Sequence, residues 1–281
     1  MFNIKNILMC PECKLQLSDN LKCDNCNYIY EFKHGVYNVI STNLSDISEF
    51  LWSELDETGM PILDWNPWDV SNSRYYKLLN KETLEAIKKQ NEYMDMMIRN
   101  LLGVVCDLAT GGGSNLERML ESDNKDFKIV CIDINNHQLM LTREHYKIND
   151  DRVFYVATDG RYISIKDESF DYIVSLSGFG NIPEGDKVAK EIYRTLKPGG
   201  KIVLQDTFIE KDSKSYELAQ SVGVERGCVK EYLIEDLEKA GFKNIVSTVV
   251  AQAIWAENEY DLIPATGDMQ YFAVIQAECL L

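Results

Sequence analysis

Two groups of residues in this 281-residue chain have types and spacings that chemistry uses. The first is Cys10-Pro11-Glu12-Cys13 followed by Cys23-Asp24-Asn25-Cys26, two C-x-x-C units with nine residues between them. Each unit presents two thiolates from one tight turn, and two such turns complete a tetrahedron around Zn²⁺. Four thiolates leave no open coordination position, so a metal at Cys10, Cys13, Cys23 and Cys26 is expected to be structural. The second is Val104-Val105-Cys106-Asp107-Leu108-Ala109-Thr110-Gly111-Gly112-Gly113-Ser114-Asn115-Leu116, an apolar run that enters glycines and then a helical pattern. Glycines there let the backbone turn tightly and approach a ligand, and a helix N-terminus offers free N–H donors. Asp133 ends the next apolar run, 22 positions after Gly111, where a carboxylate accepts hydrogen bonds from ribose hydroxyls. Together these residues point to a cofactor that contains a nucleoside.

Two details narrow the cofactor. The dinucleotide fingerprint ends in a small residue that permits close helix–strand packing, but the window Gly111 to Leu116 ends in leucine. Asp107 stands just before the loop, where its charge repels a pyrophosphate and attracts an ammonium or sulfonium. The loop therefore suits a cationic ligand.

The elements that must position these residues alternate. Apolar runs at 104–108, 128–134, 153–157, 172–176 and 201–204 read as buried strands, with helical stretches at 115–121, 137–147 and 186–196 between most of them. Buried strands alternating with helices imply an α/β fold, doubly wound, with a mostly parallel sheet covered on both faces. A helix over 230–240 is expected to end at Gly241, and two longer strands, 244–256 and 269–278, read as an antiparallel pair at the sheet's edge. Residues 1–40 form the cysteine-paired ribbon segment. Residues 41–100 are an acidic, aromatic linker and helical lid carrying Trp52, Trp65, Trp68, Tyr75 and Tyr76, and residues 101–281 form the α/β domain. Within the lid, Tyr75 and Tyr76 read first as packing residues between segments.

The glycine loop, Asp107-Leu108-Ala109-Thr110-Gly111-Gly112-Gly113, resembles the D/E-x-G-x-G-x-G motif of class I S-adenosylmethionine-dependent methyltransferases, with Ala109 departing at the first glycine. Further matches follow in family order. Asp133 looks like the ribose-binding acid, and Asp159 in Ala157-Thr158-Asp159-Gly160 resembles the acid that contacts the adenine amino group. Phe170 to Ser175 resembles the fourth-strand signature, and Leu196-Lys197-Pro198-Gly199-Gly200-Lys201 resembles the turn that introduces the fifth strand. The closing antiparallel pair is similar to the family's last two strands, which implies a seven-stranded sheet. The resemblance covers about two thirds of the chain. It implies S-adenosylmethionine as cofactor, with contacts from Asp107, Ala109, Gly111, Gly113, Asp133, Ile134, Asp159, Gly160, Ser175 and Ser177. No catalytic base is singled out: the chain has only His34, His137 and His145, and Asp206 at the end of a strand reads first as a capping or solvated carboxylate.

The acceptor is bounded less tightly. Ser177-Gly178-Phe179-Gly180-Asn181-Ile182-Pro183 follows the fourth strand, where nucleic-acid amino methyltransferases often carry Asn/Asp-Pro-Pro-Tyr/Phe; that tetrapeptide is absent. Residues 8–37 resemble a small ribbon found in activator subunits of tRNA and protein methyltransferases, and a similar one that helps hold RNA in ribosomal-RNA guanine methyltransferases. Net charge argues the other way. The chain carries 29 basic and 45 acidic residues, for a net charge of -16, and residues 1–40 balance at four of each. The basic footprint that drives phosphate-backbone binding is missing. A small-molecule acceptor is therefore favoured, with an RNA base, or a weakly active scaffold serving a protein partner, as alternatives. No apolar run reaches the roughly 18 residues of a membrane span, and the N-terminus lacks a long apolar core, so a cytoplasmic location is expected.

Overall fold

The computed structural model describes residues 2–44, 55–62, 68, 74–99, 101–147, 151–259, 261 and 263–280, so Trp52 and Trp65 lie outside the described residues. In chain order the regular elements are β1 (Glu31–Lys33), β2 (Val36–Asn38), α1 (Arg74–Leu78), α2 (Lys81–Ile98), β3 (Gly103–Leu108), α3 (Ser114–Glu121), β4 (Phe127–Asp133) and α4 (Asn136–Tyr146). They continue with β5 (Val153–Ala157), β6 (Phe170–Leu176), α5 (Gly185–Thr195), β7 (Leu196–Phe208), α6 (Lys214–Val222), α7 (Glu225–Cys228), α8 (Lys230–Ala240), β8 (Lys243–Ile254) and β9 (Met269–Glu278).

All the strands belong to one sheet, in the order β1-β2-β5-β4-β3-β6-β7-β9-β8. The block from β5 to β7 is parallel, and β9 and β8 close it antiparallel. These seven strands are the doubly wound α/β sheet expected from the alternation of apolar runs. The order reverses at β3, which has β4 on one side and β6 on the other; ligands enter such sheets at this switch point, beyond the strands' C-terminal ends. Alternate residues along β3 face opposite cores: Val105 packs with Met94, Leu116 and Leu139, while Cys106 packs with Ile173, Val188 and Leu237. Cys131 is likewise sealed in the core, where a cysteine is a small apolar side chain.

Two features go beyond the sequence pattern. The hairpin β1–β2 extends the sheet to nine strands because β2 pairs in parallel with β5, Val36 opposite Tyr155. The cysteine-bearing segment has no separate core: Leu8, Cys10, Leu21 and Tyr30 belong to the same apolar cluster as Val130, Ile132 and Ile163. At β7, Pro198-Gly199-Gly200 forms an irregular stretch inside a long strand rather than a turn before it, and the register against β6 shifts between Phe170 and Tyr172.

Helix α2 is capped by Asn80, whose side chain accepts from Thr83 N–H, and it lies across β7, β9 and β8. Two polar side chains of α2, Thr83 and Gln90, are buried in this packing. The Gln90 amide donates to the carbonyls of Asp206 (2.7 Å) and Ala273 (2.8 Å), bridging two strands at the rim. Replacing Gln90 with Leu removes a donor that both buried carbonyls use, and should lower unfolding free energy by about 1–3 kcal/mol. Urea melts of the two proteins test this, and an unchanged midpoint would contradict it.

Candidate active site

A cleft of about 380 Å³ opens where β3, β4 and β6 end, lined by the glycine loop, the end of β4 and the segment after β6. Six of the ten residues expected at the cofactor line it: Asp107, Ala109, Gly111, Asp133, Ile134 and Ser177. The other four lie in the surrounding structure. Gly113 is the N-cap of α3 at φ 84°, where a Cβ would stand 2.8 Å from the Tyr146 ring. Ser175 is buried, and its hydroxyl donates to Leu108 O at 2.9 Å, tying β6 to the end of β3. Asp159 is buried in an ion pair with Arg161 at 2.7 Å, and Gly160 backs onto Ile182, which itself lines the cleft. The lining also holds Gly178, from the 177–183 segment noted in the sequence, and Thr110, Ser114, Asn115 and Asn181, which were not expected as cofactor contacts. For Asn115 a signal existed, since it sits in the first turn of the helix that starts just after the glycine loop.

Asp133 shapes the loop. Its Oδ2 accepts from Gly111 N–H and its Oδ1 from Asn135 N–H, each at 2.9 Å. Burial raises the carboxyl's pKa, and the backbone N–H groups work against that rise. The remaining lone pairs can take hydroxyl donors. Asp107 is buried with one oxygen accepting from the Asn115 amide at 3.2 Å, while its Oδ2 has no partner. Burial pushes its pKa up to about 7, aided by repulsion from Asp133. An orphaned carboxylate oxygen in a cleft whose described lining has no Lys or Arg fits a ligand that brings donors and positive charge.

Ala109 occupies the left-handed region at φ 53°, which explains why a glycine suits the position and costs a non-glycine residue roughly 1–2 kcal/mol. Gly178 accommodates its methyl: a Cβ on Gly178 would lie 2.5 Å from that of Ala109. The departure from the motif is thus matched by a glycine across the cleft. Ser177 is also left-handed, at φ 50°, so two residues lining the cleft hold backbone strain.

The outer side of the loop is pinned. Thr142 Oγ1 donates to Gly111 O at 2.8 Å, and Tyr146 OH donates to Gly113 O at 3.2 Å. Trp68 donates its indole N–H to Gly112 O at 2.7 Å and stacks on His145 with ring centroids 4.0 Å apart. The aromatic segment therefore does reach the loop, through Trp68. Tyr75 and Tyr76 instead pack with Leu79, Trp255 and Phe272 against β8 and β9. Asp206 is buried and engaged, with its carboxylate accepting from Gly180 and Thr207 N–H at 2.9 Å, and burial lifts its pKa to about 6.

The four N-terminal cysteines converge. Their sulfurs all lie within 4.8 Å of one another, with Cys13 and Cys23 3.4 Å apart and Cys10 and Cys26 3.8 Å apart. Zn–S bonds of about 2.3 Å in a tetrahedron place sulfurs about 3.8 Å apart, so the group fits zinc. The two turns match: Lys14 N–H donates to Cys10 O and Asn27 N–H to Cys23 O, with φ of 57° and 56° at Lys14 and Asn27. Tyr30 OH lies 3.3 Å from Cys10 Sγ, placed to donate to a thiolate.

This sheet order, with a glycine loop at its switch point, is that of a doubly wound α/β domain that takes its ligand beyond the strands' C-terminal ends. Residues 106–204 match the family described as "Methyltransferase domain". Among curated relatives, the ubiquinone/menaquinone biosynthesis C-methyltransferase UbiE of Wigglesworthia glossinidia brevipalpis is 32% identical over 102 residues, 36% of this chain and 41% of that protein. Phosphoethanolamine N-methyltransferase 2 of Caenorhabditis elegans is 31% identical over 182 residues, 63% of this chain and 39% of that protein. The chain thus spans about two fifths of the length of these two relatives. A solved structure of Haemonchus contortus phosphoethanolamine N-methyltransferase 2 with phosphomonomethylethanolamine and S-adenosylhomocysteine superposes with a TM-score of 0.53 at 19% identity, covering 68% of this chain and 53% of that one. The methyltransferase-domain match thus runs from within β3 to within β7, the strands that carry the glycine loop and the cleft.

The Asp107 carboxyl gives a pH signature. Its folded pKa of about 7 exceeds its ordinary value of 3.8, so the ligand-free protein binds more protons than the unfolded chain between them. Stability should therefore fall as pH rises from about 4 to about 7, and Asp107→Asn should flatten that part of the curve. Melting temperatures of both proteins across this range check the sign. At the other site, Cys10→Ser should lower bound zinc and loosen the N-terminal segment; metal content equal to that of the parent protein would end the zinc assignment.

Proposed function

We propose that the protein transfers the methyl group of S-adenosylmethionine, bound in the cleft at β3 and β4, to a small organic acceptor. The observation that carries the reading is the paired arrangement of Asp133, which closes the glycine loop, and Asp107, whose buried oxygen awaits a donor. Asp133 would receive ribose hydroxyls, and Asp107 would meet positive charge or an N–H group. Bound there, the cofactor supplies a sulfonium methyl, an electrophile that needs no further activation. The protein's part is to hold an acceptor atom in line with that methyl and to exclude water. Among the described residues, the lining offers Ser177 and Asn181 on the segment after β6 and no His, Lys or Glu, which favours positioning over proton transfer.

Several observations support a small acceptor. The named relatives are a C-methyltransferase of ubiquinone/menaquinone biosynthesis and a phosphoethanolamine N-methyltransferase. The chain is strongly acidic. A cleft that stands open rather than filled by side chains also weighs against an inactive scaffold. The four cysteines are read as a structural zinc site. No helix among the described residues is long and apolar enough to cross a membrane.

Incubation with methyl-labelled S-adenosylmethionine and a cell extract, followed by separation into RNA, protein and small metabolites, tests the assignment. Label in the small-metabolite fraction, lost with Asp133→Ala, is expected. Label confined to RNA would replace the acceptor class, and no transfer into any fraction would contradict the activity.

A further inference from the structure

We propose that the zinc-ribbon segment positions the cofactor cleft, so that metal at the four cysteines and cofactor in the cleft strengthen each other's binding. The inference rests on reading the cleft as the S-adenosylmethionine site and the cysteines as a zinc site.

The link runs through residues 157–166, the loop after β5 that carries Asp159 and Gly160. The N-terminal segment grips it along both sides. Immediately before Cys10, Met9 N–H donates to Ser164 O at 2.9 Å, and Lys166 N–H donates to Ile7 O at 2.8 Å. Beyond the ribbon hairpin, Val39 N–H donates to Ala157 O at 2.9 Å and Val39 O accepts from the Ser164 hydroxyl at 2.9 Å. From the first cysteine turn itself, the Lys14 ammonium reaches Tyr162 O at 3.4 Å and pairs with Glu191 on α5 at 3.8 Å. Ser164, Ile163 and Ile165 are fully buried in the shared core, so this seam excludes water.

The same loop is joined to the cleft. Ser164 N–H donates to Thr158 Oγ1 at 3.0 Å, and Thr158 N–H donates to Asp133 O at 2.9 Å. Gly160 packs on Ile182, one of the cleft's lining residues. A run of direct hydrogen bonds and chain neighbours therefore connects Cys10, through Met9, Ser164 and Thr158, to the residue whose carboxylate holds Gly111. Four thiolates without metal are free to separate, and the turns that present Met9 and Lys14 lose their anchor.

The experiment uses the full chain, zinc-loaded and after removal of metal by a chelator, and titrates S-adenosylhomocysteine by calorimetry. Affinity should fall about tenfold on metal removal, within the usual range of coupling between sites. Zinc affinity, measured by competition with a chromophoric chelator, should rise by the same factor when S-adenosylhomocysteine is present, as linkage requires. Amide exchange should quicken across 157–166 on metal removal while β3 and β4 stay protected. Lys14→Met, which keeps all four cysteines, should leave metal content unchanged and still weaken S-adenosylhomocysteine binding. Equal affinity with and without metal would overturn the coupling. Failure of the zinc-loaded protein to bind S-adenosylhomocysteine at all is a different result, and overturns the cofactor reading instead.

Discussion

The hydrogen bond from Gly111 N–H to the Asp133 carboxylate is the contact on which the site depends. It joins the turn after β3 to the end of β4, so the glycine loop is closed before any ligand arrives. Burying the carboxylate opposes its ionisation, and the amides of Gly111 and Asn135 offset that cost by donating to it. Thr142, Tyr146 and Trp68 hold the loop's carbonyls from the other side. Loop geometry set in the unliganded chain leaves less ordering to be done on binding.

Against that fixed loop, the strain at Ala109 and the unsatisfied oxygen of Asp107 become intelligible. Both are unfavourable in isolation, and both belong to residues that line the same cleft. A site that keeps an acceptor unpaired and a non-glycine residue left-handed is organised around something it binds. The methyl of Ala109 fits because Gly178 has no side chain, so one departure from the motif is answered 69 residues later.

Much of this was legible in the sequence because it is local. Periodicity marked β3 to β7 and their helices, and the strand ends marked Asp107 and Asp133 without reference to anything distant. What stayed hidden depends on partners far along the chain. That Ser175 would turn inward to Leu108, and that Asp206 would hold the amide of Gly180, are outcomes of packing. The cysteine spacing announced a metal site, but not that the hairpin after it would pair with β5 across more than a hundred residues. Side-chain chemistry shows in spacing; the neighbours that redirect it do not.

The cysteine-bearing segment and the α/β sheet consequently form one body of packing, with a shared apolar core and a continuous sheet. The account comes down to whether the closed loop and its two carboxylates receive a nucleoside with a positively charged tail. A crystal structure of the chain grown with S-adenosylhomocysteine addresses this directly. The account predicts density in the cleft, with ribose hydroxyls on Asp133 and a donor on the free oxygen of Asp107. A cleft that stays empty at saturating ligand, or that takes up a pyrophosphate-bearing dinucleotide instead, would contradict it.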